Sequence, residues 1–348
     1  MITRLSGNPI IGIEDVKPSR DDYEVVCAFN PAAVRYGHET ILLLRIAERP
    51  KAKNDNERIA PIFDLESGTL RHIRVTTDDP DLEDSGDPRG FRYRGGNYLT
   101  SISHLRIARS NDGEHFSIED RPALFPREPY ETYGLEDPRI TPIGGDYYIA
   151  YKAVSETGIC TALAKTRDFK DFERLGVIFC PENLDVALFP EKIADTYWAL
   201  TRPVPGFIGR RGIWLAASPD LLHWGRHQPL ILPRPGLFDG AKTGASCIPI
   251  RTDEGWLEIY HGADDDDTYC LGFALLHPED PRRVLGRCQA PLMTPEAAYE
   301  TQGFYPNVIF ACGAVVDDNG TITIYYGAAD TVTAASRTSI DTLLNALV

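Results

Sequence analysis

Nowhere in the 348 residues does an apolar run approach the ~18–20 residues of a membrane span. The opening stretch, Met1-Ile-Thr-Arg-Leu-Ser-Gly-Asn-Pro9, lacks the apolar centre of a secretion signal, so a cytoplasmic chain is expected. Cysteine is sparse and unpaired in pattern: seven residues (27, 160, 180, 247, 270, 288, 312), with no C-x-x-C. This argues against a zinc site or a disulfide framework and for reduced, mostly buried thiols. Positive charge is in deficit, 36 Lys+Arg against 51 Asp+Glu, for a net charge of −15. Such a chain repels nucleic-acid phosphates and anionic lipid unless its basic residues are focused locally, so neither is an expected partner. Helical periodicity is missing except over 339–347. No G-x-S-x-G, P-loop or H-E-x-x-H is present, and the eight histidines do not cluster at metal-ligand spacing. No metal and no organic cofactor is therefore expected. The acidic run Asp264-Asp-Asp-Asp267 lacks the spaced ligands and glycine turn of a calcium loop and reads as a solvated loop.

What is present is an ordinary globular balance, 43% apolar and 25% charged, at a length that suits two domains or one large repetitive one. Gly (29) and Pro (26) punctuate the chain, and 16 Tyr and 14 Phe supply strand-forming aromatics. Short apolar runs at 40–46, 147–151, 197–200, 213–217, 256–260 and 322–326 are of strand length and mostly bounded by turn residues. A motif of small residues, then Ser or Thr, Asp and an aromatic recurs. Its copies are Ile107-Ala-Arg-Ser-Asn-Asp-Gly-Glu-His-Phe116, Leu163-Ala-Lys-Thr-Arg-Asp-Phe-Lys-Asp-Phe172 and Leu215-Ala-Ala-Ser-Pro-Asp-Leu-Leu-His-Trp224, with a fainter Phe273-Ala-Leu-Leu-His-Pro-Glu-Asp-Pro281. The aligned Asp112, Asp168, Asp220 and Asp280 lie 56, 52 and 60 residues apart. A second motif accompanies them: Tyr148-Ile-Ala-Tyr-Lys152, Trp198-Ala-Leu-Thr-Arg202, Leu257-Glu-Ile-Tyr-His261 and Ile324-Tyr-Tyr-Gly327. Multi-strand repeats of this length are the signature of a β-propeller, with a β-sandwich of similar hairpins as the alternative. The expectation is an all-β chain, a single domain over 1–348 with room for five or six blades, and a short C-terminal helix. The Ser/Asp element reads as structural, its polar pair holding a turn and its aromatic filling the core between blades.

In a propeller the inner strands line a funnel, so polar residues inside apolar strands are candidates for ligand contact. These are Asn30, Arg45, His104, Arg106, Glu136, Asp137, Arg139, Asp185, Glu191, Lys192, Arg202, Asp239, Lys242, Tyr260, His261 and Asp330. Carboxylates, guanidiniums and aromatics converging on one cavity suit a carbohydrate, which needs many hydrogen bonds and flat apolar faces. For any single residue, an inter-blade salt bridge is the competing reading. Gly134-Leu-Glu-Asp-Pro-Arg139 is the sharpest segment. Side chains alternate along a strand, so of Glu136 and Asp137 one should face the funnel and the other the blade. Arg139 is expected to grip a carboxylate with both arms of its guanidinium.

The segments Gly7-Asn-Pro-Ile-Ile11, Phe29-Asn-Pro-Ala-Ala-Val-Arg35, Glu136-Asp-Pro-Arg139, Val186-Ala-Leu-Phe-Pro-Glu-Lys192, Gly255-Trp-Leu-Glu-Ile-Tyr-His-Gly262, Gly303-Phe-Tyr-Pro-Asn-Val308 and Ile324-Tyr-Tyr-Gly-Ala-Ala-Asp-Thr331 occur in that order. In this the chain resembles glycoside hydrolase family 130, the β-mannoside phosphorylases and β-mannosidases. The resemblance implies a five-bladed β-propeller and inverting phosphorolysis of β-1,2- or β-1,4-linked mannooligosaccharides to α-mannose 1-phosphate. It implies Asp137 as general acid, its proton passing through a mannose hydroxyl, and inorganic phosphate as the only co-substrate. Lys192, Arg202, Lys242, Tyr260 and His261 become candidates for holding phosphate. Asn30, Arg45, His104, Arg106, Glu136, Arg139, Asp185, Tyr305 and Asp330 become candidates for holding sugar. The alternative within the family is an inverting β-mannosidase using water, with Glu191 or Asp239 as base. Outside enzymes, the alternative is a non-catalytic glycan-binding propeller. A homo-oligomer is compatible with all of these.

Overall fold

The computed structural model describes residues 2–52 and 56–347. The chain is all-β, and its main strands fall into five successive antiparallel units, the first two joined through one parallel pairing of Gly134 with Ser103 and the fourth carrying an extra short strand, Ile250–Arg251. The first comprises Tyr23–Tyr36, Glu39–Pro50, Ile102–Ser110 and Ser117–Ile118. The second comprises Gly134–Ile143, Asp146–Ser155, Gly158–Thr166 and Glu173–Phe179. The third runs through Asn183–Leu188, Tyr197–Pro203, Ile213–Ser218 and Gly225–Ile231. The fourth contains Lys242–Ala245, Trp256–Ala263, Tyr269–Leu276 and Val284–Arg287. The fifth has Ile309–Val316, Thr321–Ala328 and Val332–Ser339, and its outer strand is Thr3–Arg4 from the other end of the chain. The first strand of the first unit packs against the first strands of both the second and the fifth.

The repeated polar turn forms as its residues dictate. Ser110 Oγ accepts the backbone N–H groups of Asp112 and Gly113, while Asp112 Oδ1 accepts those of Glu114 and His115. Thr166 with Asp168, and Ser218 with Asp220, repeat the arrangement. In the faint fourth copy His277 Nδ1 takes the hydroxyl's place, accepting from Glu279 and Asp280 N–H. The accompanying aromatics do pack between units. Phe116 meets Tyr325 of the fifth edge-on at 5.9 Å, and Trp224 joins a cluster of second- and third-unit residues including Leu163 and Val186. The C-terminal helix is Ile340–Asn345, capped by Ser339.

Two features position the site. The inner strands are bulged: register slips between Phe29 and Ala32, between Glu136 and Arg139, and between Leu184 and Ala187. At each bulge one residue takes positive φ: Asn30 (47°), Asp137 (45°) and Asp185 (54°). Short polar side chains tolerate that conformation best, and the kink turns them off the pleat. The second feature is an insertion into the first unit, between Glu39–Pro50 and Ile102–Ser110. It holds the hairpin Glu57–Asp64/Thr69–Thr76 and a three-stranded sheet, Leu82–Glu83, Gly90–Tyr93 and Gly96–Leu99.

Candidate active site

A cavity of about 1050 Å³ opens where the inner strands meet the insertion. Its wall includes Asn30, Arg45, Glu136, Asp137, Lys152, Arg202, Tyr305 and Asp330, together with Arg89, Tyr269 and Phe310. The bulge at 136–139 breaks strand alternation, so Glu136 and Asp137 both line the cavity and both bind Arg45. This corrects the expectation that they face opposite ways. Arg45 NH2 donates to Glu136 Oε1 at 2.7 Å, and NH1 donates to Asp137 Oδ1 at 3.0 Å. Asn30 Nδ2 donates to the same Asp137 oxygen at 2.8 Å, and Lys152 Nζ donates to Asp137 Oδ2 at 2.5 Å.

Burial alone would push the Asp137 carboxyl up. The cations of Lys152 and Arg45 overcome this and hold it well below the usual carboxylate range. Burial opposes charge on Lys152 too, but Asp137 and Asp185 outweigh it and the ammonium stays protonated. Behind this layer Asp185 is fully buried and binds Arg202 Nε at 2.6 Å and Lys152 Nζ at 3.1 Å. A row of alternating charge results: Arg45, Asp137, Lys152, Asp185, Arg202. Asp330 differs. Burial pushes its carboxyl up to about 6; Arg45 pulls the other way, and the neighbouring Asp137 charge adds to the rise.

Other sequence candidates lie outside the cavity wall. Arg139 is buried and braces backbone, donating to the carbonyls of Ser246, Ala245 and Asp137; it meets Asp185 through one nitrogen at 3.4 Å, not two. His261 is buried against Asp185, and burial lowers it to about 4 despite that carboxylate. It is neutral at pH 7 and brings no positive charge to a phosphate. His104 and Arg106 surround Glu48 instead, at 3.3 Å each. Tyr260 points to the opposite face of its strand from His261, and its hydroxyl donates to Asp239 at 2.8 Å. Asp239 is fully buried and also takes Arg234 and Arg287, so its oxygens are engaged and no water reaches it as a base. The inner strand of the third unit ends at Leu188, which carries Glu191 and Lys192 past it to an exposed turn. Glu191 is 59% exposed at its side chain, and Lys192 lies over Tyr197 at 4.6 Å. Lys242 is turned to Asp267 and is absent from the cavity wall.

Lys152 and Arg89 are among the charged cavity groups that sequence reasoning missed. For Lys152 a signal existed: it ends the same repeated segment as Arg202, His261 and Gly327, and Arg45 occupies the matching place in the first unit. Register bears this out, pairing Phe29 with Arg45, Glu136 with Lys152, Leu184 with Arg202 and Phe310 with Gly327. For Arg89, in an insertion without repeat, no such signal exists.

The sequence profile of the family described as β-1,4-mannooligosaccharide phosphorylase matches residues 90–348. The chain is 44% identical over 99% of its length to β-1,2-mannobiose phosphorylase of Listeria innocua, covering 98% of that protein. The structure of that enzyme with β-1,2-mannobiose superposes at a TM-score of 0.96, covering 99% of each chain. A 1,2-β-oligomannan phosphorylase of Thermoanaerobacter is 39% identical over 84% of this chain and 95% of its own. A β-1,4-mannooligosaccharide phosphorylase of Ruminococcus albus is 33% identical over 69% of this chain and 75% of its own.

Proposed function

This chain belongs to glycoside hydrolase family 130, and we propose that it cleaves β-1,2-mannobiose with inorganic phosphate, releasing α-mannose 1-phosphate and mannose. It is an enzyme of β-mannoside phosphorolysis, the activity named for its relatives of both linkages. The choice of the β-1,2 linkage is carried by one observation: likeness over 99% of the chain to an enzyme named for β-1,2-mannobiose. The five four-strand units are read as blades of one five-bladed propeller spanning 1–348, closed by Thr3–Arg4. Seven unpaired cysteines fit a reducing, cytoplasmic setting.

The mechanism assigned to the cavity is a single inverting displacement. A phosphate oxygen forms a bond to the anomeric carbon as the bond from that carbon to the glycosidic oxygen breaks. The departing oxygen takes a proton that Asp137 supplies through a mannose hydroxyl. Arg202 and Lys152 face the phosphate, with Lys242 joining them, while Asn30, Arg45, Glu136, Tyr305 and Asp330 face the sugar. Arg139 and Asp185 position those groups from behind. No organic cofactor or metal has a role in this scheme.

The low proton affinity of the Asp137 carboxyl bears on this scheme. An acid held ionised by Lys152 and Arg45 cannot donate. A phosphate dianion beside Lys152 offsets that positive field and raises the affinity of Asp137 for its proton. Phosphate then both attacks and arms the acid, which favours phosphorolysis over hydrolysis, as does the engagement of Asp239 and the exposure of Glu191.

The test is a product assay on β-1,2- and β-1,4-mannobiose with and without phosphate. Mannose 1-phosphate from the β-1,2 substrate, only with phosphate, is expected. Asp137→Asn should lower kcat by at least about 10³-fold. Free mannose formed at the full rate without phosphate would refute the reading in favour of a mannosidase.

A further inference from the structure

The acidic run 264–267 is not simply a solvated loop. Asp264 builds the turn: its Oδ1 accepts the N–H groups of Asp266 and Thr268 at 3.0 and 2.9 Å. That turn places Asp267 at φ 58°. Its Oδ1 accepts from Lys242 Nζ at 2.7 Å, and its Oδ2 accepts from the Tyr305 hydroxyl at 3.4 Å. Lys242 also lies over the Tyr269 ring at 4.4 Å, and Arg89 of the insertion lies over the Tyr305 ring at 4.4 Å. Tyr269, Tyr305 and Arg89 line the cavity, whereas Lys242 and Asp267 do not.

The Lys242 side chain is 12% exposed and that of Asp267 is 52% exposed. The cation therefore sits at the edge of the cavity wall, and its carboxylate partner comes from the solvent side. An ion pair with one exposed partner is weak and exchanges readily. A phosphate dianion offers the same ammonium more charge and more acceptor oxygens.

We propose that Asp267 is a positioning residue that competes with phosphate for Lys242, holding the ammonium when the subsite is empty and reclaiming it as the phosphorylated product leaves. This rests on the phosphorylase reading and on Lys242 as a phosphate contact. The attacking phosphate and mannose 1-phosphate are both anions, so a resident carboxylate that weakens the grip on one also speeds release of the other. Through Tyr305 and Arg89 the same carboxylate links the phosphate side of the cavity to the wall contributed by the insertion.

The experiment measures KM for phosphate, KM for β-1,2-mannobiose and product inhibition by mannose 1-phosphate. It compares the parent enzyme, Asp267→Asn, Lys242→Ala and the double variant. Asp267→Asn should lower the phosphate KM and the inhibition constant of mannose 1-phosphate together, each by about 3–10-fold, leaving the mannobiose KM within about twofold. Lys242→Ala should raise the phosphate KM, and adding Asp267→Asn to it should change nothing further. If Lys242→Ala raises the phosphate KM while Asp267→Asn leaves it unchanged or raises it, competition is overturned and the phosphorylase reading stands. If Lys242→Ala leaves the phosphate KM unchanged in an enzyme that still requires phosphate, Lys242 is no phosphate contact and the proposal falls with it. An enzyme indifferent to phosphate would sink the reading beneath both.

Discussion

At the scale of single residues, the site works by unequal treatment of like groups. Asp137 and Asp330 both line one cavity, yet Lys152 and Arg45 hold the first ionised while burial lifts the second to about 6. The sign of the consequence for stability follows. A carboxyl raised from 3.8 on folding gives the native state the greater proton uptake between about pH 4 and 6, so stability falls across that window and stays reduced above it. Asp330→Asn removes that loss. The variant should match the parent near pH 4 and exceed it by about 1–2 kcal/mol at pH 7.5 in denaturant titrations. Its KM for mannobiose should rise if the carboxylate faces the sugar as proposed. A stability difference that is the same at both pH values would show that Asp330 is not held in its raised state.

At the scale of elements, the unit is a bulged first strand beside a regular second strand. In the first three units the bulge aims Asn30, Asp137 or Asp185 off the pleat, and the second strand answers with Arg45, Lys152 or Arg202. In the fifth unit the answering position is Gly327, and a Cβ there would collide with the Asn30 side chain and backbone. Gly327→Ala should therefore displace Asn30 from Asp137 and cut kcat at least about tenfold while the protein stays folded. Wild-type kcat in that variant would mean that Asn30 does not position the proposed acid, Asp137. This pattern marks what was legible in the sequence. The repeat gave the units and the Ser/Asp turns, because both rest on local chemistry. It also brought Asn30, Arg45, Asp137 and Arg202 to one cavity. What local pattern cannot give is the partner of a buried charge. Asp239 reads like a funnel carboxylate until Arg234 and Arg287 are seen on it, and His104 and Arg106 until Glu48 is. Glu191 and Lys192 sit in a segment that carries the resemblance but beyond the end of the inner strand, a boundary that sequence places only loosely. The bulge defeated the alternation argument at Glu136 and Asp137, because one extra residue reverses every orientation after it.

At the scale of the whole molecule, the fifth unit takes its outer strand from the opposite end of the chain. In the five-bladed reading proposed above, that exchange is what joins the last unit to the first. Thr3 and Arg4 pair with Arg337 and Ser336, Leu5 N–H donates to Ala335, and Asn8 bonds Ala335 in both directions. An ion pair accompanies this strand pairing. Arg4 donates to both oxygens of Glu300 at 2.8 and 2.9 Å, and Glu300 is fully buried with Tyr326 and two backbone N–H groups as its other donors. Burial would raise the Glu300 carboxyl, but Arg4 and the N–H donors hold it below its ordinary value. It therefore contributes stability above the unfolded carboxylate range, and that contribution is lost as pH falls through the lowered native value. Arg4→Ala removes the paired cation and leaves the carboxylate buried. The cost should be about 3 kcal/mol at pH 7, the range for breaking a buried pair from one side. It should shrink toward pH 4, where the unpaired carboxyl can take a proton instead. Thermal unfolding of parent and variant at the two pH values checks this. A deficit equal at both, or none at pH 7, would mean that strand pairing alone holds the N-terminal segment and that Glu300 is carried by Tyr326 and the backbone.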